Sequence, residues 1–419
     1  MNVKHLAIYY PSLEYFGGIE SVVIQQLRIF VAAGYQCHVI TDTPIVRCAG
    51  EIAANSIVIE QSAQRAAEWQ RVIAQHGIEV VLINGAAFPS AASDVEAIHA
   101  VGAKVVLTIH FSFPSPMIFN EAWNCYKLNR EIGCACDAVV TVSSTDAKWW
   151  KALGCNAHYV QNPFVTPEVQ ETKIVKKNVV VWVGREAPQK KIYEAFRIIA
   201  EVKKDIPDVV LRIVGPSNDY AGALRELDIE RNVQFYPNEK NVGQHYAAAK
   251  VHLLTSITES FCLVIAEAKA YAIPTVMYSI PFLELVKDGR GIIEVEQRDA
   301  TAAACEIIKM MRNDGYRQQL GLEAKKTLAD FNDQALLAGW AHVFDQLSVT
   351  MDSSTKCDAC DMYIRQIYDA WEYQRSNNQY KIDFFEELDK MTGGHGRSLA
   401  RFFMQYIVGP LRTIKNKIK

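Results

Sequence analysis

Short apolar runs alternate with longer stretches whose apolar positions recur every three or four residues, and this pattern occurs twice along the chain. In the first series, Lys4–Tyr10, Gln36–Thr41, Val80–Asn84, Lys104–His110 and Ala138–Val142 predict buried strands. Between them lie amphipathic segments such as Ile19–Ala33, which stops at Gly34 as a helix does when the chain needs a left-handed residue to end it. A polar stretch over 164–178, preceded by Pro163 and containing Pro167, has no period and reads as a linker. The second series predicts strands at Val179–Val183, Val209–Val214, Val233–Tyr236, Val251–Thr255 and Thr275–Tyr278, with helices over Gln189–Lys204 and Phe261–Tyr271. A helix over Asn332–Leu347, carrying Trp340 and Phe344, is expected to close the second half. Strands alternating with helices imply parallel sheets covered on both faces. The expected fold is therefore α/β: two Rossmann-like domains, 1–163 and 179–347, facing across a cleft, with a helical extension over 352–419. In doubly wound sheets ligands sit outside the carboxyl ends of the strands, so chemistry is sought in the loops just after them.

Composition narrows the classes without choosing one. The 419 residues exceed what one hydrophobic core serves, and 50% apolar with 22% charged residues is ordinary for a globular protein. A formal net charge of -3 gives no overall attraction to nucleic acid or to an acidic surface. Met1–Tyr10 is too short an apolar run for a signal peptide and is followed by Pro11, and no run approaches the roughly 20 apolar residues that span a bilayer. A cytoplasmic protein is expected, with a peripheral position on the inner face of the plasma membrane left open. Ten cysteines without a compact framework suit reduced thiols. Cys134 with Cys136 and Cys357 with Cys360 are spaced closely enough to weigh as metal ligands, but neither has a matching second pair, so no metal is expected.

Four constellations carry candidate chemistry. In the segment Thr255–Val276 a strand runs through a polar loop into a helix, placing Glu259 in the loop and Glu267 two turns along the helix. Amides of Ser260, Phe261, Cys262, Leu263 and Val264 would sit near the helix start, where unpaired N–H groups suit a diphosphate. The plain alternative is a dipole-facing Glu259 and a solvated Glu267. After Val179–Val183, Gly184 and Arg185 lead to Lys190 and Lys191, a guanidinium and an ammonium able to neutralise a leaving diphosphate, or else a solvated basic loop. After the first strand, Gly17 and Gly18 open a helix and permit close backbone approach, or form a tight turn. Asp42 ends the second strand, but the three spaced glycines of a dinucleotide site are missing. His110 ends a strand at the cleft, where a structural histidine is as natural as a catalytic one.

Together these residues resemble family 4 of the retaining glycosyltransferases, the glycosyl transferases group 1 with the GT-B fold, over about residues 3–347. The resemblance rests on Gly17-Gly18-Ile19-Glu20, the strand ending in His110, Gly184-Arg185 followed by Lys190, and Glu259 with seven residues before Glu267. It implies that Arg185 and Lys190 bind the donor diphosphate, that Glu267 binds the ribose hydroxyls and that Glu259 holds the transferred sugar near its reacting carbon. Amides of Leu263 and Val264 complete the phosphate site, Gly18 closes over it, and His110 lies beside the sugar. Three positions depart from the family pattern: Cys262, Lys191 and Ala272 stand where glycine is usual. Lys191 leaves open which lysine meets the phosphate.

The implied activity is transfer of a hexose from a UDP- or GDP-sugar to a glycan or lipid-linked acceptor in bacterial surface polysaccharide synthesis, with retention and without a metal. A sugar-nucleotide 2-epimerase of the same fold and a non-catalytic nucleotide-sugar-binding subunit are the alternatives. At the end of the chain, residues 397–419 combine a helical apolar stripe with six basic residues and no acidic ones, a pattern that lies in anionic headgroups or packs on the protein itself.

Overall fold

The computed structural model describes residues 3–14, 17–45, 52, 55–85, 88, 90–112, 122–164, 167, 177–237, 239, 241–280 and 283–347. The expected extension over 352–419, its basic end 397–419, the pair Cys357 and Cys360, and most of the linker fall outside the described residues.

The strands are β1 (His5–Tyr9), β2 (Gln36–Thr41), β3 (Ser56–Val58), β4 (Val80–Asn84), β5 (Lys104–Ile109), β6 (Ala138–Thr141) and β7 (Ala157–Tyr159), then β8 (Val179–Val183), β9 (Val210–Gly215), β10 (Val233–Pro237), β11 (Val251–Leu254), β12 (Thr275–Tyr278) and β13 (Ile292–Val295). The described helices are α1 (Gly18–Ala32), α2 (Arg65–His76), α3 (Ala91–His99), α4 (Ala122–Ala135), α5 (Ser144–Ala152), α6 (Ile192–Asp205), α7 (Ala221–Glu226), α8 (Gly243–Ala248), α9 (Leu263–Ala270), α10 (Ala300–Arg312), α11 (Asp314–Lys326) and α12 (Asp333–Gln346). The first sheet runs β3-β2-β1-β4-β5-β6-β7 and the second β10-β9-β8-β11-β12-β13, and every pairing is parallel. Strands such as β4 and β8 are buried at every residue because helices cover both faces, which is why they read as unbroken apolar runs. β3, β7 and β13 escape that pattern: each has three or four residues and is mostly half-buried, so no continuous run marks it.

Strand order reverses between β1 and β4 in one sheet and between β8 and β11 in the other. These are the two switch points, where chain leaving adjacent strands diverges and opens a crevice. The loops after β1 and β8 carry Gly17–Glu20 and Arg185–Lys191, the loop after β11 carries Glu259, and β4 and β5 end at Asn84 and beside His110. Topology alone thus gathers three of these segments at the edge of the first sheet and two at the edge of the second. Asp42 takes no part, because it is held by Tyr9 Oη at 2.9 Å and Arg65 at 2.9 Å, beside the buried Arg65–Asp94 pair.

The last helix corrects the expected domain boundary. α12 leaves the second half and packs on the core of the first, where Leu336, Trp340, Val343 and Phe344 join Leu27, Phe30 and Val160. The Trp340 ring meets Phe30 edge-on at 5.8 Å, and Gln346 O accepts a bond from Asn156 Nδ2 at 3.5 Å. Its apolar stripe predicts burial but not against which sheet. Cys134 also finds a different neighbour than the sequence pairs with it: its Sγ lies 3.2 Å from Cys155 Sγ, and both are free thiols.

Three of the five described non-glycine residues with left-handed backbone are those standing where the family pattern has glycine: Lys191 at φ 47°, Cys262 at φ 68° and Ala272 at φ 52°. The backbone keeps a geometry suited to glycine while the residue has changed, at about 1–2 kcal/mol each. Lys191 interrupts the helix expected from Gln189, leaving a 3-10 turn over Pro188–Lys190 before α6, and Cys262 delays α9 to Leu263. Ala272→Gly is therefore expected to stabilise the protein by about 0.5–1 kcal/mol after glycine's extra unfolded-state entropy is subtracted. Denaturant unfolding reads this directly, and a fall in stability would show that the left-handed turn carries no strain.

Candidate active site

Lys190 is the pivot of the site. Its Nζ donates to Glu259 Oε1 at 2.6 Å, with the two side chains 14% and 13% exposed, so the pair is largely withdrawn from water. Burial alone would lower the lysine's pKa, but the adjacent Glu259 carboxylate outweighs it and holds the ammonium above its ordinary value. The backbone beneath is pinned: Trp182 Nε1 donates to Thr255 Oγ1 at 3.0 Å, Thr255 Oγ1 donates to Lys190 O at 2.7 Å, and Ile257 N donates to Gln189 O at 2.9 Å. The loops after β8 and β11 are thereby fastened side by side. Arg185 lies within electrostatic reach of Lys190 and of Tyr10 from the first domain. Its side chain is exposed and has no ion-pair or hydrogen-bond partner among the described residues.

The start of α9 forms one wall. Leu263 and Val264 occupy its first two positions, where helix geometry leaves the N–H without a partner inside the helix, whereas Ile265 N already bonds Cys262 O at 2.9 Å. Ser260, Phe261 and Cys262 precede the helix, so the amides expected to face an anion narrow to Leu263 and Val264. Glu267, one face further on, accepts from Tyr246 Oη at 2.8 Å. Burial raises its carboxyl pKa and the tyrosine bond opposes that rise. A cavity of about 390 Å³ opens here, lined by Glu267, Leu263 and Gly243 from the second domain, Ser21 and Gln25 of α1 from the first, and Phe164 from the connection.

The first domain meets the loop 258–260 directly. Ser260 Oγ donates to the His110 carbonyl at 2.6 Å, and Ser112 and Thr258 share a hydroxyl–hydroxyl bond at 2.6 Å. The His110 ring bonds Asn84 Oδ1 through Nε2 at 2.7 Å, and Asn84 Nδ2 in turn reaches Tyr9 O at 3.4 Å. That chain makes Nε2 the protonated nitrogen and leaves Nδ1 a lone-pair acceptor without a partner. Burial pulls the His110 pKa down to about 4, so the ring is neutral at physiological pH. Gly17 is extended at φ -128°, α1 begins at Gly18, and Glu20 folds back so closely that a Cβ at Gly17 would collide with its carboxylate.

The structure thus pairs Lys190 with Glu259, with Gly184 and Arg185 beside them, and sets Leu263 and Glu267 on a cavity that Ser21 and Gln25 of α1 also line, Gly17 and Gly18 standing at the start of that helix. It does not bring Lys191 to them: that side chain lines a separate cavity with Glu194 and Arg298. Of the two lysines, Lys190 is the one bonded to Glu259. Sequence reading passed over Asn84, Tyr246, Thr258 and Ser112. Asn84 had a signal, a polar residue ending a fully buried strand beside the strand of His110. Tyr246 had none, since its pairing with Glu267 joins residues 21 apart.

A sequence model described as Glycosyltransferase Family 4 matches residues 16–166, and one described as Glycosyl transferases group 1 matches 166–327. The chain belongs to this glycosyltransferase family. An uncharacterized glycosyltransferase of Haemophilus influenzae is 24% identical over 250 residues, covering 57% of this chain and 68% of the relative. Matches to seven further curated relatives take in only 24% to 49% of their length. Among solved structures, Anabaena HepE in complex with UDP and glucose aligns with a TM-score of 0.70 at 16% identity, covering 82% of this chain and 100% of that one. The lipopolysaccharide outer core galactosyltransferase WaaB, in its apo form, aligns with a TM-score of 0.62 at 17% identity over 82% of this chain and 99% of its own. These likenesses establish the GT-B fold, two parallel-sheet α/β domains.

The buried imidazoles make the protein acid-sensitive. His110 and His252 have folded-state pKa values lowered from 6.5 to about 4 and about 3 by burial, while the unfolded chain takes up those protons near 6.5. Because the unfolded state binds more protons below that point, stability falls as pH drops from about 6.5 towards 4, by at most about 1.4 kcal/mol per pH unit per histidine. Denaturant midpoints measured across that interval are expected to fall. An Asn84→Leu/His110→Leu double substitution should shallow the slope, and an unchanged slope would remove His110 as a source.

Proposed function

We propose that this glycosyltransferase moves a hexose from a UDP- or GDP-sugar, with retention of anomeric configuration and without a metal ion, to a glycan or lipid-linked acceptor in bacterial surface polysaccharide synthesis. The observation that carries the reading is the Lys190–Glu259 pair beside the unpartnered Arg185 and the start of α9, at the carboxyl edge of the switch point. Such a crevice fits a diphosphate: Arg185 offers a forked donor, Lys190 a fixed positive charge, and Leu263 and Val264 two aligned amides. Cleavage of the bond between the sugar's anomeric carbon and the phosphate oxygen places new negative charge on that oxygen, where these groups stabilise it. The acceptor hydroxyl then attacks from the same face and passes its proton to the departing phosphate oxygen. Glu259 is engaged by Lys190 and is suited to accept from sugar hydroxyls rather than to attack carbon. Neutral His110 would lie beside the sugar, its carbonyl holding Ser260 next to Glu259. Glu267 is placed to take the ribose hydroxyls, for which it must be ionised. The solved UDP complex of HepE, which has the same fold, supports a nucleotide donor, and the name of WaaB supports the polysaccharide setting. Among the described residues no helix is long and apolar enough to cross a membrane, and membrane contact through 397–419 belongs to this proposal.

Thermal shift against UDP, GDP and their sugars tests the donor. A nucleotide at 100 times its dissociation constant should stabilise by about 2.7 kcal/mol, and Arg185→Ala should weaken that binding about tenfold or more. Tyr246→Phe removes the bond that holds the Glu267 pKa down, so affinity should be lower and its loss on acidification should begin at a higher pH than in the wild type. An Arg185→Ala variant that binds as tightly as wild type would break the assignment. NMR of the product reads the anomeric configuration, and inversion would overturn retention. Incubation with donor alone should return no new sugar nucleotide, and full activity is expected to survive chelation.

A further inference from the structure

A second cavity, of about 220 Å³, opens at the carboxyl ends of β11, β12 and β13. Lys191, Arg197 and Arg298 line it, together with Glu194, Tyr278 and Gln297. Its volume lies below the roughly 300–1,000 Å³ of pockets that take drug-sized ligands and suits a single small group. Three cations face one carboxylate, and that carboxylate is in use: Glu194 pairs with Arg197 at 2.9 Å and accepts from Tyr278 Oη at 2.9 Å. Asp299, next along from Arg298, is occupied as the cap of α10, accepting from Ala302 N at 2.9 Å. The side chains of Lys191 and Arg298 have no ion-pair or hydrogen-bond partner among the described residues, their backbone carbonyls accepting from Glu194 N and Ala300 N.

Both of these cations have left-handed backbone, Lys191 at φ 47° and Arg298 at φ 70°. The other non-glycine residues in that region among the described residues are Asp228, Cys262 and Ala272, so the two basic members of the described set line one cavity. Glycine would adopt either conformation without strain, and an unpaired surface cation returns nothing to folding that offsets it. Strain held at a position that offers the fold no contact points to a ligand. Lys191 lines this cavity while the residue before it, Lys190, holds Glu259, which sets the cavity one residue along the chain from the candidate donor site.

We propose that the cavity is an anion subsite for a phosphate group carried by the acceptor, gripped by Lys191 and by the planar fork of Arg298, with Arg197 and Tyr278 alongside. The identity of the phosphate's carrier rests on the transferase reading; the binding of the anion does not.

Calorimetric titration of the full chain with glycerol 3-phosphate and with inorganic phosphate tests the proposal. The variants are Arg298→Gly and Lys191→Gly/Arg298→Gly, which remove charge while relieving backbone strain, so their unfolding midpoints should not fall. The wild type is expected to bind glycerol 3-phosphate saturably and the double variant at least tenfold more weakly. Arg298→Gly alone should bind UDP or GDP as the wild type does, and saturating nucleotide should leave the phosphate affinity in place. Absence of saturable binding, equal affinity in the double variant, or displacement of the phosphate by nucleotide each overturns the subsite. Tighter binding of inorganic phosphate than of the monoester overturns the acceptor assignment in favour of a free anion. Phosphate binding that depends on both residues in a protein that binds no nucleotide leaves the subsite standing and fells the transferase reading instead.

Discussion

The ion pair between Lys190 and Glu259 is the constraint on which the site depends. It joins the loop after β8 to the loop after β11, the two strands between which the second sheet reverses its order. A charge pair this far removed from water pays only when both partners remain, so each side chain fixes the other. The hydrogen bonds from Trp182 through Thr255 to the Lys190 carbonyl do the same for the backbone. With Lys190 satisfied by a carboxylate, Arg185 is the cation left open to an incoming anion. Lys190 then acts as a fixed charge behind the site rather than as a mobile arm.

Contact between the domains is built on the same loop. Thr258 and Ser260 flank Glu259 and bond Ser112 and the His110 carbonyl, so any motion of one domain against the other acts on the residue at the centre. Elsewhere α12 carries the chain back from the second domain to the core of the first, which ties the two halves together a second time. The two domains are therefore joined by hydrogen bonds from the loop 258–260 and by the packing of α12, with Trp340 against Phe30.

Left-handed residues show how far such a fold tolerates departures from its own pattern. Lys191, Cys262 and Ala272 each keep a conformation that glycine would adopt without strain. At Ala272 the side chain adds no contact that the site uses. At Cys262 the thiol is buried against α9, and its pKa is raised well above the ordinary value by that burial. At Lys191 the side chain supplies a charge to a cavity that glycine would leave weaker. The same backbone strain thus accompanies three different side-chain consequences.

Much of the protein was legible in its sequence, because the signals were local. Apolar runs flanked by polar punctuation gave ten of the strands, since a strand covered on both faces must be apolar throughout. The spacing of Glu259 and Glu267, and of Arg185 and Lys190, marked the site because loops after parallel strands emerge at one edge whatever the rest of the chain does. Tertiary structure alone decided what depends on pairs far apart in sequence. It turned Lys190 rather than Lys191 towards Glu259, set Tyr246 on Glu267 and Asn84 on His110, and sent α12 to the first domain instead of the second. Amphipathic periodicity states that a face is buried but not against what, and a side chain's charge does not state which partner it will meet. Those choices follow from strand order and close packing, which exist only once the whole chain has folded.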